Sequence, residues 1–525
     1  MVMSVDVRNA VAVLVVGVIV MKVLKFLHRA VWEPLRLRRI MEKQGLKGPP
    51  YRFLFGQVYE TVAFQDSFPE AMPLDNYANL SPTVTPQCAL FFPKYGRNFV
   101  YAKGIDTRMC VRDVELAKEI FINNHASLRR NEVDDKIITS VVGRGILVHM
   151  GQKWATERRQ LNPFFHQDAL KSMVAAMVEG TTTEIQKWEQ VVAQAGGSAE
   201  IDIEDDLLKM NGRMFSHTAF GIDFNKGEQI RELMTDISKE VFINIRNPLY
   251  WIIPGYRKIP TKRNRYIDQS LAKVHALVQD VMDSRREAVR KGETTSYGND
   301  LLGRMLGAAT EGWDEHATEF NLASVFSNTK LIYFGGQTSV AVLSLFLMLM
   351  LAIHPEWQER ARKEVAEVIG DAEINASALL RLKVAGMIIN ETLRCFPPAP
   401  SLVRKANKDI HLKSLFIPKG LAIEFGMVAI HQDKTYWGDD VGEFKPERFA
   451  NGVAGACTHP QAFSPFGLGP KFCIGSNFAM IHLKVLMVAM LQKFELLPSP
   501  NYKHHPTFTL VQRPKFGMHI ILKAL

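Results

Sequence analysis

The chain is poor in cysteine. It has five in 525 residues (Cys88, Cys110, Cys395, Cys457 and Cys473), and no two stand in a CxxC pair. An odd, scattered set excludes a disulfide framework and a four-cysteine zinc or iron–sulfur site. It fits a catalytic body facing the reducing cytosol. After the N-terminal region the chain also lacks internal repeats and low-complexity tracts, so a repeat architecture is excluded. No small-residue cleavage site follows the apolar N-terminus, which argues against a removable signal peptide. With 47% hydrophobic and 22% charged residues, the composition excludes global disorder and supplies core for two or three average domains.

The net charge is +10 and the pI is near 9.2. A basic balance raises nucleic-acid binding, but the placement of the charge points elsewhere. Between Lys22 and Arg52 nine Lys/Arg face two Glu, a surplus of seven that leaves only three for the rest of the chain. This surplus lies directly behind the apolar stretch of residues 5–27, where it would meet anionic lipid head groups. The uncharged run of residues 10–21 is short for a span. Lys22 and Lys25 can snorkel and extend it to roughly 20 residues. Arg29, Arg36, Arg38, Arg39 and Lys43 follow, so the positive-inside rule keeps the body cytosolic. The expected organisation is a signal-anchor helix over residues 1–28, a basic, Pro-containing linker over 29–52 that ends in Gly48, Pro49 and Pro50, and one catalytic domain over 53–525.

That domain reads as mainly α with small β-sheets. Residues 98–111 pattern as a hairpin about Gly104. Leu170, Met173, Val174, Met177, Ile185 and Trp188 keep helical spacing. Short strands are expected at 507–511 and 517–522. Residues 331–353 form 23 positions without a formal charge, long enough for a second span. Gly335, Gly336, Gln337, Thr338 and Ser339 interrupt this run, and Pro355 follows it. The expectation is a buried central helix. The competing picture, a two-span membrane protein without catalysis, needs this segment in lipid.

The most specific motif is FSPFGLGPKFCIGSNFAM at residues 463–480. Phe466, Gly469, Lys471, Cys473 and Gly475 have the spacing FxxGx(R/K)xCxG. A cysteine thiolate on haem iron pushes electron density towards O–O cleavage. Such a sulfur belongs in a tight buried loop. Gly469 and Gly475 suit the turn and a close approach to a porphyrin. Backbone N–H groups would tune the sulfur, Phe466 would shield it, and Lys471 would meet a propionate. A helix starting near Ser476 puts its N-terminal dipole beside the anion. An isolated cysteine in a Gly-rich turn is usually inert; five positions at fixed spacing favour a metal ligand.

Two further groups support this motif. Glu391 and Arg394 are i,i+3 on a helix, and Arg448 in FKPERF offers a third charge. A surface pair of this kind is worth little. A buried Glu between two arginines would be satisfied by bidentate bonds and would pin the helix to the cysteine loop. Trp154 and Arg158 are i,i+4 in GQKWATERRQ. They read either as propionate holders or as a core Trp beside a solvated Arg. Arg404 is a weaker propionate candidate.

Taken together, these residues resemble the cytochrome P450 family. The resemblance runs through anchor, proline hinge, WxxxR, central helix, ExxR, PERF and cysteine loop, in that order. The segments YGRNFVY, IPGYRKIPTKRNR, LVRKANKDI and HPQAFSPFGLGPKFCIG are similar to plant enzymes of the clan that contains cytokinin hydroxylases and related hormone and terpenoid oxidases. The resemblance implies the cytochrome P450 fold, a haem b cofactor and an NADPH–cytochrome P450 reductase as electron donor. It also implies a single-pass location in the endoplasmic reticulum membrane and one-oxygen insertion into a hydrophobic small molecule.

The chain departs from the family pattern twice. Lys471 stands where Arg is usual, which keeps the charge and loses the planar fork. The central helix reads GGQTSV where the family has an acid followed by an alcohol. Without a gap, Thr338 takes the acid position and Ser339 the alcohol position. Ser339 can hold a water for proton delivery, and Gln337 or water would replace the missing carboxylate. The lost acid keeps a second activity open: isomerisation or dehydration of an already oxygenated substrate without NADPH. Residues 128–145, 242–256, 398–402 and 508–510 are the expected substrate contacts.

Overall fold

A computed structural model describes residues 2–525 except 75–76, 78, 133–134, 136–138, 140–142, 222–223, 248, 251–252, 254, 312–319 and 510. Hydrophobic periodicity has produced a mostly helical body around one long helix, Leu322–Ile353. Asn321 starts this helix by accepting the Ser324 N–H on its side chain. Pro355 opens the next helix, Pro355–Val368, immediately after it. The central helix packs against helices Glu204–Phe220, Lys383–Cys395 and Ser476–Leu491. Every residue from Val340 to Ala352 is buried. Among the described residues this is the one helix long and apolar enough to cross a membrane, and 78% of its most apolar window lies inside the protein. It is therefore a core helix, and the two-span picture fails.

Among the described residues twelve short strands flank the helices: β1 Asn98–Lys103, β2 Asp106–Val111, β3 Leu128–Arg129, β4 Ser198–Asp202, β5 Leu402–Ala406, β6 Ile410–His411, β7 Phe416–Ile417, β8 Ala422–Phe425, β9 Phe494–Pro498, β10 Pro506–Phe508, β11 Gln512–Pro514 and β12 His519–Ala524. The largest sheet has the order β1-β2-β8-β5-β3. The expected hairpin is its edge, with Tyr101 opposite Arg108. A three-stranded sheet has the order β4-β12-β9, and its β9 packs against the central helix. The C-terminal strands fall as β10, β11 and β12, so Thr509 and Val511 lie outside the strands, and residue 510 lies outside the described residues.

Much of the expected linker is helical. A helix runs Glu33–Glu42, with Pro34 in its first turn and Leu37 and Met41 buried one turn apart. It packs on β1 and β2, in a second core that includes Val100, Met109 and Ile423. The Gly48–Pro49–Pro50 break follows as irregular chain, and the Arg38 guanidinium donates to the Gly48 and Pro49 carbonyls. Basic composition masked the i,i+4 apolar pair that holds this helix down.

Candidate haem site

The cysteine loop runs between the buried Phe463 and the helix Ser476–Leu491. Its backbone closes on itself: the Cys473 N–H donates to the Phe466 carbonyl at 2.9 Å, and the Gly467 N–H to Ser464 at 2.9 Å. Gly469 has φ +69°, and a Cβ there would stand 2.7 Å from the Phe121 carbonyl. Only glycine fits both conditions. Gly475 has φ −89°, so the turn does not require its left-handed freedom. Its N–H instead hydrogen-bonds the Cys473 sulfur. Burial pushes the Cys473 thiol up, while the Gly475 bond and the Arg158 charge pull it back towards thiolate.

Cys473 opens onto a cavity of about 700 Å³. Gly335, Gly336, Ser339, Val340 and Leu343 of the central helix also line it, together with Phe466, Lys471, Gly475, Trp154, Arg158 and Arg404. The Ser339 hydroxyl donates to the Gly335 carbonyl at 2.6 Å. Thr338 is not among the lining residues, so the ungapped reading leaves it off the cavity wall. Gln337 is buried and reaches back towards Leu208 at 3.5 Å; it is unavailable for the relay expected of it. Gly336 is fixed by close approach, because a Cβ would meet the Phe215 ring at 2.2 Å.

The expected substrate segments also reach the cavity. Pro398, Ala399, Pro400, Ser401 and Leu402 line it, as do Phe242, Phe508 and Thr509. From the first segment Arg130 does so, and Ile146 and Leu147 continue the wall just beyond it. Of these segments, 133–134, 136–138, 140–142, 248, 251–252, 254 and 510 lie outside the described residues.

Charge is unevenly spread over the wall. Lys471 donates to the His149 carbonyl and lies 4.7 Å over the Trp154 ring. Burial, with Arg404 and Arg130 nearby, pushes it down to about 7. Arg158 donates to the Phe472 carbonyl at 2.8 Å. Arg130, Arg158, Arg404 and Lys471 line this wall, where Arg130 pairs with Asp135 and the Lys471 acceptor His149 pairs with Glu157. A haem b, with its anionic propionates, fits this group of cations and the sulfur donor together.

Behind the loop stands the charge network. Glu391 and Arg394 are fully buried and paired at 2.8 Å through both carboxylate oxygens. Arg394 also donates to the carbonyls of His431, Val441 and Glu443 at 2.9–3.0 Å, so all five of its N–H groups are used. Glu391 further accepts the Lys445 N–H at 2.9 Å, and Arg448 Nε lies 3.5 Å from it. Arg448 is anchored by Asp440 at 2.7 Å. The buried alternative for this trio is the one observed.

Sequence reasoning missed His431, Glu157 and His149. His431 Nδ1 lies 3.1 Å from the Arg394 carbonyl, and His149 Nδ1 lies 2.8 Å from Glu157. No local pattern marks either pair, since their partners are distant in sequence or wait on loop geometry.

Residues 76–521 match the family model described as Cytochrome P450. The chain is 32% identical over 526 residues to cytochrome P450 72A15 of Arabidopsis thaliana, covering 100% of both chains. It is 31% identical to the cytokinin hydroxylase of Arabidopsis thaliana, over 94% of this chain and 93% of that one. It is 32% identical to 7-deoxyloganic acid hydroxylase of Catharanthus roseus, over 94% and 95%. With the fold, the cysteine loop and the cationic cradle in place, the chain belongs to the cytochrome P450 family and is an oxidoreductase of the monooxygenase type.

Proposed function

We propose that this chain hydroxylates a hydrophobic small molecule of the isoprenoid hormone, terpenoid or fatty-acid class, using O₂ and electrons passed from NADPH by a membrane-bound reductase. One observation carries the reading: Cys473 faces the same cavity as Ser339 and the Gly335–Gly336 pair, with the cationic cluster at its side. A haem bound there would supply the iron for reductive activation of O₂, one atom going into a substrate C–H bond and the other to water. The protein's own groups do the rest. Cys473 would supply the sulfur ligand, with the Gly475 N–H and Arg158 stabilising its charge. Lys471, Arg158, Trp154 and Arg404 would hold the propionates. Leu343, Val340, Phe478 and Phe215 exclude water around the substrate. Ser339, whose hydroxyl lines the cavity, can accept a hydrogen bond from a water and so hold it for proton delivery. Two relatives are named as hydroxylases, which fits this chemistry.

The anchor belongs to the same reading. The helix Val2–Leu27 leaves Val13 72% and Leu14 69% exposed, an apolar surface suited to lipid that reaches the length of an anchor when Lys22 and Lys25 snorkel. The basic residues behind it hold the catalytic body at the cytosolic face of the endoplasmic reticulum.

A second reading rests on a specific observation. Among the described lining residues Glu424 is the one carboxylate, and it sits on β8, not on the central helix. A site without an acid next to Ser339 suits isomerisation or dehydration of a hydroperoxide, which needs no external electrons.

The test is a reduced carbon monoxide spectrum of the purified holoenzyme, followed by turnover with and without reductase and NADPH. The sulfur-ligated Soret band is expected, and Cys473→Ala should abolish it. An unchanged band in that variant overturns the reading. Turnover of a hydroperoxide without NADPH selects the second activity.

A further inference from the structure

A short strap of residues 143–149 joins the first half of the central helix to the cysteine loop. At one end the Ile146 N–H donates to Asn328 Oδ1 at 2.8 Å. Asn328 is fully buried, and its amide donates to the Ser324 carbonyl at 3.0 Å, which fixes the direction of the oxygen. Gly145 lies flat on the helix: a Cβ there would stand 2.7 Å from Asn328 Oδ1 and 3.1 Å from a Leu331 methyl. Within the strap the Val148 and His149 N–H groups both donate to the Gly145 carbonyl, at 2.9 and 3.1 Å. Arg130 donates to the Leu147 carbonyl at 3.1 Å. At the other end the His149 carbonyl accepts from Lys471.

The strap presents Ile146 and Leu147 to the cavity, beside Leu331 and Ile332 of the helix that holds it. Arg130 and Lys471 hold the strap by its carbonyls, and among the described contacts Asn328 is the side chain of the central helix that holds it by an N–H. We propose that Asn328 is a positioning residue for substrate selection: it fixes the strap so that Ile146 and Leu147 set the size of ligand the cavity accepts. The inference rests on the haem-thiolate reading of the cavity. Asn328 itself does not line it. It acts by leaving the Ile146 N–H no other place to go, because an orphaned buried N–H is costly.

The experiment uses the ferric holoenzyme and two probes that ligate iron, imidazole and 4-phenylimidazole, followed by their spectral shifts. The readout is the ratio of their dissociation constants. Asn328→Leu removes the acceptor. Gly145→Ala displaces the strap while leaving Asn328 in place. Both should change the ratio by on the order of fivefold or more, with imidazole alone held within about twofold. Asn328→Asp, protonated in this fully buried place, still accepts the Ile146 N–H and donates its O–H to the Ser324 carbonyl, so it should preserve the ratio. An unchanged ratio in Gly145→Ala, or an equal change for both probes, overturns the proposal. If Asn328→Leu fails to fold, Gly145→Ala and Asn328→Asp carry the test. Absence of the carbon monoxide band from the unsubstituted protein overturns the haem-thiolate reading instead, so the two failures are distinct.

Discussion

The Ser464 N–H donates to His431 Nε2 at 3.2 Å, while His431 Nδ1 stands 3.1 Å from the Arg394 carbonyl. This ring ties the cysteine loop to the Glu391–Arg394 pair. The two contacts fix its tautomer, with the proton on Nδ1. Burial pushes His431 down to about 3, so it stays neutral at working pH. His431→Leu orphans a buried N–H and a buried carbonyl, at roughly 1–3 kcal/mol each. Urea unfolding should register that loss, and the haem-loss rate should rise because the loop is released. Glu391→Ala leaves Arg394 charged and buried without its carboxylate. The expected cost is about 3–5 kcal/mol, seen as a collapse in folded yield. A variant that folded with an unchanged midpoint would show that the network is dispensable.

Ser339 and Thr338 separate by the same kind of test. Ser339 lines the cavity and Thr338 does not. Ser339→Ala should lower product formed per NADPH consumed by about tenfold, less than the roughly hundredfold low end of proton-transfer effects because water can stand in part for the hydroxyl. Thr338→Val should leave that coupling near the unsubstituted value. The opposite pattern would mean that the helix is read one residue out of register.

The two variants also mark where the sequence was legible. ExxR spacing placed Glu391 and Arg394 on one helical face because i,i+3 geometry is local. The uncharged run of residues 331–353 identified the core helix because its length and apolarity are local too. His431, Asn328 and the His149–Glu157 pair were invisible. His431 lies 37 residues from Arg394 and Asn328 182 residues from Ile146, so only the folded chain brings them together. His149 and Glu157 are eight apart, but a loop joins them, and loop geometry has no period to read. The helix Glu33–Glu42 was legible in principle through Leu37 and Met41. Its basic residues drew the reading towards a linker.

Lys471 gives a pH dependence for haem capture. It is pushed down to about 7 by burial, with Arg404 and Arg130 adding repulsion. Below about pH 7 the haem-free protein keeps this charge for a propionate; above it the charge is lost. Haem affinity should therefore fall as pH rises through that point, by up to about tenfold for one lost charge. Lys471→Arg stays charged, so its profile should be flat over the same range. Haem-binding titrations of the two apoproteins across that range measure this. Parallel profiles would remove Lys471 from the propionate site.

His482 makes the sharpest stability prediction. It sits in the core on the helix that follows Cys473, and neither ring nitrogen has a hydrogen-bond partner among the described residues. Burial pushes it down to about 3 from 6.5. The folded protein thus refuses a proton that the unfolded chain accepts below pH about 6.5. In that window the unfolded state binds more protons, so stability rises with pH and is lost on acidification. His504, pushed down to about 4, adds to the same slope. Each such group contributes about 1.4 kcal/mol per pH unit between its two pKa values. His482→Met removes one proton from the slope and two orphaned polar atoms from the core. Replacing a polar group that has no partner by an apolar one of similar volume is neutral or stabilising. Denaturation midpoints followed from neutral pH towards pH 4 should converge less steeply in His482→Met than in the unsubstituted protein. A steeper acid loss in the variant would mean that the ring is satisfied in the folded state after all.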